Sequence, residues 1–112
     1  MTLREAILSI NDVESEKILI PEWNVTVEIR GMTAAGRARM FEIGKNSTEA
    51  DSRWHLIYSS VYDPETGLPV FQKDDKDAVM QKSAESIDAI LNAIYRINGW
   101  NETAIEDSEK NL

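Results

Sequence analysis

VTVEIRGMTAAGRARMFEIG, residues 25–44, is the stretch on which the fold turns. Its first six residues alternate apolar and polar, with Val25, Val27 and Ile29 on one side, the period of a half-buried strand. From Thr33 the alternation stops. The spacing there predicts a helix to about Lys45, with Thr33 as N-cap and Ala34, Ala38, Phe41 and Met40 turned inward. A strand feeding a helix, with glycines at 31 and 36, also approaches the phosphate-binding loop G-x-x-x-x-G-K-[ST]. The positions that would carry its lysine and its magnesium-binding hydroxyl are Arg37 and Ala38. With no hydroxyl there, a nucleotide-binding enzyme is the weaker reading and the N-cap the stronger.

Upstream, Glu16–Ile20 reads as a partner strand, and Pro21-Glu22-Trp23-Asn24 supplies turn chemistry, so the two strands form a β-hairpin. Residues 2–10 read as a short helix, with Thr2 and Glu5 at capping-box spacing and Ala6, Ile7 and Ile10 as its apolar stripe. Downstream, Trp54, Ile57, Tyr58 and Val61 fall at helical spacing over 51–62, although the β-branched and aromatic content leaves a strand open. Asp63–Gly67 is a turn, and Leu68–Phe71 is an extended segment that sets Val70 or Phe71 against the core. Asp74 and Asp75 open a short helix, where carboxylates suit the positive N-terminal end. Ser83 caps the strongest helix, with Ile87, Ile90, Leu91, Ile94 and Ile97 as its stripe and Gly99 at its C-terminal cap. The expected fold is α+β: a small N-terminal β-hairpin packed with a predominantly helical remainder. Residues 1–100 form a single domain and 101–112 an acidic tail whose order is left open.

The net charge of −8 over 112 residues opposes general nucleic-acid binding and suits a basic protein partner or an acidic DNA mimic. There are no cysteines, which excludes disulfides, thiolate metal sites and cysteine nucleophiles. Apolar runs fall far short of the roughly 20 residues that span a membrane. The opening MTLREAILSIND lacks a hydrophobic run and a small-residue cleavage site, so the expected location is the cytoplasm.

Little in the chain suggests reaction chemistry. His55 is the lone histidine and reads as structural or surface. Asp74-Asp75-Lys76-Asp77 lacks the Asp, Gly and Glu spacing of a calcium loop. No cofactor or metal is expected. Trp54 reads as core. Trp23 and Trp100 lie in loops, where aromatic side chains anchor interfaces, and both are candidate partner contacts, as is Ile105 in a further helical turn capped by Asn101. An exposed hairpin edge would support a dimer or ring.

The order of segments carries a resemblance. Pro21-Glu22-Trp23 leads into the alternating strand, and Arg30-Gly31-Met32-Thr33-Ala34 leads into a helix with Arg37 and Phe41-Glu42. Tyr62-Asp63-Pro64-Glu65-Thr66-Gly67-Leu68-Pro69-Val70-Phe71 follows, then Lys82-Ser83-Ala84 and a helix ending Arg96-Ile97-Asn98-Gly99. Over residues 1–111 this resembles the small tail assembly chaperones of siphophages and prophages. The resemblance implies a non-enzymatic protein that binds the tape measure protein, keeps it soluble and helps recruit tail tube subunits. Such a protein would act in the bacterial host cytoplasm and leave before the virion is complete. It also implies a longer product made by ribosomal frameshifting, for which Glu109-Lys110-Asn111 is compatible with a slippery A AAA AAC. The alternative is an acidic DNA mimic or inhibitor acting on a nucleic-acid-binding partner.

Overall fold

In the computed structural model, which describes residues 1–100, the strand and helix of the opening stretch are β2 (Val25–Arg30) and α2 (Ala34–Gly44). The elements before them are α1 (Leu3–Leu8) and β1 (Ser15–Ile20). After them come α3 (Glu49–Ser60), β3 (Val61–Tyr62), a 3₁₀ turn at Lys73–Asp75, α4 (Lys76–Met80) and α5 (Ala84–Ile97). The fold is α+β, as expected. The acidic tail, the helical turn capped by Asn101 and Ile105 lie outside the described residues.

β1 and β2 pair antiparallel with Ile18 opposite Val27 and Ile20 opposite Val25. Asn24 closes the turn at φ 53, a left-handed conformation that asparagine tolerates. The hairpin gains a third strand. The helix expected over 51–62 ends at Ser60, and Val61 and Tyr62 pair with Ile29 and Glu28. Two local features stop the helix: β-branched Val61, and Pro64, which disfavours helical geometry in the residue before it. The chain then doubles back. Gly67 N–H donates to Asp63 O and Val70 N–H to Val61 O, while Tyr62 bridges Pro69. The sheet order is β1-β2-β3.

One sheet face carries Ile18, Ile20, Val27, Ile29 and Val61, and α3 and α5 pack on it. Ile20, Ile29, Ile57, Val61, Ile90 and Ile94 are fully buried, and Trp54, Ile87 and Leu91 nearly so. Burying each such aliphatic side chain contributes about 1.5–3 kcal/mol, so this cluster dominates the stability. Phe71, rather than Val70, joins it, its ring 5.9 Å from that of Trp54. The predicted N-caps form: Thr2 Oγ1 accepts from Glu5 N–H, Thr33 Oγ1 from Gly36 N–H and Ser83 Oγ from Ser86 N–H. Gly99 takes the left-handed cap conformation at φ 75.

Two helices do not face inward as expected. No residue of α1 or α2 is buried. Ile7 and Ile10 near α1 and Phe41 on α2 are more than half exposed, and Ala34 and Ala38 are exposed with them; of α2, Gly36, Met40 and Ile43 are half-covered. The reason is space. Three strands about 4.8 Å apart give a sheet that one or two helices of about 10 Å diameter fill, and α3 and α5 occupy it.

Candidate functional site

The surface that α2 leaves open is built from the link between β2 and α2. Gly31 N–H donates to Glu14 O at 2.8 Å, and Met32 N–H donates to Asn98 Oδ1 at 2.9 Å. A Cβ on Gly31 would sit 3.4 Å from Glu14 O, so the two backbones meet closely there. Asn98 in turn donates from Nδ2 to Ile94 O, which clamps the link to the last turn of α5. Thr33 then starts α2 in a direction that runs it beside α3 and away from the sheet.

Between the link, α2 and α3 lies a cleft of about 500 Å³. Met32, Met40, Ile43 and Tyr58 give it an apolar floor. Arg30, Arg39, His55 and Lys73 stand around it, and among the described residues no carboxylate lines it. This is unusual for a chain with 20 acidic and 12 basic residues. Arg30 is engaged, pairing with Glu28 at 2.8 Å and lying 3.8 Å from the centre of the Tyr62 ring. Arg39 and Lys73 make no ion pair among the described residues. A second hollow of about 590 Å³ shares Val13, Gly31, Met32 and Thr33 with the first and extends it to Arg37, Asn98 and Gly99. A third, on the outer side of α2, is lined by Ala34, Ala38 and Phe41. Met-rich, partly apolar surfaces of this kind accept protein segments of varied shape.

The two tryptophans picked out from the sequence fall at opposite ends of α5. Trp23 sits in the β1–β2 turn and packs part-buried on the core, beside Glu22, which accepts from Ser86 Oγ in the first turn of α5. Trp100 follows the last turn, half-covered, 5.0 Å from the Arg37 guanidinium and 6.5 Å from the Tyr95 ring. Fourteen helical residues, about 21 Å, separate the two ends, so they do not form one patch. Neither lines the cleft; Trp100 lies against Arg37, which lines the second hollow. His55 lines the cleft, and Arg37 donates to Asn98 O. Asp75 accepts from Gln72 N–H at the start of the 3₁₀ turn, the helix-opening role expected of it. Among the described residues no three His, Cys, Asp or Glu side chains gather as a metal site would require. The cleft residues Arg39 and Lys73 carry no sequence motif; their grouping comes from where α2 lies.

No family model matches the sequence, and no curated protein does. A solved structure does match: that of the bacteriophage HK97 tail assembly chaperone, with a TM-score of 0.59. The match covers 87% of this chain and 100% of that one at 18% identity. This chain has the fold of a phage tail assembly chaperone. At that identity the likeness is one of fold.

Proposed function

We propose that the protein is a non-enzymatic phage tail assembly chaperone. It binds the tape measure protein, keeps it soluble and helps recruit tail tube subunits in the bacterial host cytoplasm, without entering the mature virion. The fold shared with the HK97 tail assembly chaperone carries this reading. The surface supports it. A tape measure protein is long, helical and apolar along one side, and such a helix docks through residues spaced by turns into an apolar groove. The outer side of α2, with Phe41, and the stripe of α1, with Leu3 and Ile7, are apolar surfaces of the required kind. The same exposed residues, or the free edge of β1, would also serve contacts between copies of the chain.

The test is co-expression with the tape measure protein encoded downstream in the source genome. A soluble, stoichiometric complex that Phe41→Glu or Ile7→Glu disrupts establishes the reading. Insoluble tape measure protein and no complex, with both proteins well expressed, rejects it for this chain.

A further inference from the structure

The α2–α3 cleft has the opposite charge to the chain that forms it. The chain carries 20 acidic and 12 basic residues, whereas Arg30, Arg39, His55 and Lys73 line the cleft and, among the described residues, no carboxylate does. These four come from β2, α2, α3 and the 3₁₀ turn, so the fold gathers them from separate parts of the chain. Arg39 and Lys73 are exposed and make no ion pair among the described residues. Met40, Ile43 and Tyr58, on the floor, are only half-covered. The cleft therefore offers unneutralised cations beside apolar surface, and its complement is anionic and apolar at once.

Shape narrows the choice. α2 lines the cleft with Thr33, Gly36, Arg39, Met40 and Ile43, a row at helical spacing that runs for about 15 Å. That is longer than a single phosphate or carboxylate needs, and it matches about five residues of extended chain. Side chains of an extended segment alternate between two sides. Acids alternating with apolar residues would set carboxylates toward the cations while the apolar side chains cover the floor. A polynucleotide fits less well, because a net charge of −8 repels a long polyanion. We infer that the α2–α3 cleft binds a short, extended acidic segment of a partner protein, with its carboxylates on Arg39 and Lys73 and its apolar side chains on Met40, Ile43 and Tyr58. The surface proposed for the tape measure protein lies on the outer side of α2, with Phe41, so this inference stands or falls apart from that reading.

The probe is a capped seven-residue peptide of alternating leucine and glutamate, titrated into the isotope-labelled full chain at low salt. The expected result is a saturable shift of the Met40, Ile43 and Tyr58 signals, with those of Ala38 and Phe41 unmoved. Arg39→Glu together with Lys73→Glu should weaken binding about tenfold or more, since two partly screened attractions become repulsions. Both positions are exposed, and unchanged Ile29 and Ile90 signals report an intact core. Raising the ionic strength should weaken binding of the parent chain as well. Equal binding of the same peptide with glutamine for glutamate would overturn the inference, as would shifts confined to the outer side of α2. So would the same shifts from inorganic phosphate alone, which would make the cleft a small-anion site. A fall in the sedimenting mass of the free chain in the double variant would also overturn it, because the occupant would then be a second copy.

Discussion

Replacing Asn98 with alanine should loosen the β2–α2 link without touching the core. The side chain makes two hydrogen bonds, accepting from Met32 N–H and donating to Ile94 O, both at 2.9 Å. They are not equal. Ile94 O also accepts from Asn98 N–H, so losing Nδ2 leaves that carbonyl paired and costs only about 0.5 kcal/mol. Met32 N–H is part-buried and loses the acceptor it has, at a cost of about 1–2 kcal/mol. The sum is about 2 kcal/mol, or a fall of roughly 10 °C in Tm for a domain of this size. Urea and thermal unfolding followed by circular dichroism give the magnitude. Amide hydrogen exchange locates it, with Met32 losing protection before the core strands do. Asn98→Asp separates the two bonds, since it keeps the acceptor for Met32 and loses the donor. Its Met32 amide should stay protected even though a carboxylate at the C-terminal end of α5 is unfavourable. If Asn98→Ala costs less than about 0.5 kcal/mol and Met32 remains protected, the clamp is not what positions α2.

Three further outcomes follow from the same geometry. Ile94→Ala, at a fully buried position, should cost about 2–5 kcal/mol in chemical denaturation, whereas Phe41→Ala should stay within about 0.5 kcal/mol yet reduce co-purification of the tape measure protein. Ser60→Ala should raise stability by about 1 kcal/mol in the same assay, because Ser60 Oγ is buried with no hydrogen-bond partner among the described residues. The hydrogen bond from Lys76, helped by one from the Thr48 hydroxyl, holds the Asp51 carboxyl below the ordinary 3.8. A lowered folded-state pKa contributes stability above the ordinary carboxylate range and loses it as pH falls through the folded value. Acid unfolding of Asp51→Asn should therefore show a shallower loss between about pH 5 and pH 2 than the parent chain. The effect will be small, because both partners are over a third exposed and water screens them.

The parts of the fold that are legible in the sequence are those where local chemistry and burial agree. Thr33 and Ser83 cap because a hydroxyl at that position pairs an orphan N–H whatever the tertiary context. The stripe of α5 reads correctly because Ile87, Ile90, Leu91 and Ile94 are too apolar to lie anywhere but on the sheet. The end of α3 does not read correctly, since Val61 fits the helical spacing of Trp54 and Ile57 equally well. What decides its state is the free edge of β2, a non-local partner that no window of sequence contains.

The cleft was hidden for a related reason. Apolar periodicity states that a face must be covered, and says nothing of what covers it. α1 and α2 carry apolar residues without the strong one-sided stripe of α5, and the inner face of the sheet has room for α3 and α5 only. The helices that lose this competition keep their apolar residues and present them outward. An excess of apolar helical faces over what a small sheet can cover is therefore itself a sign of a binding protein. Here Phe41, Ile7 and Ile10 are the remainder. It follows that inserting α2 into the core by design would not simply stabilise this protein. Any gain in burial would remove the surface proposed here for a partner and close the cleft beside it, so on that proposal stability and binding should trade against each other along α2 and nowhere along α5.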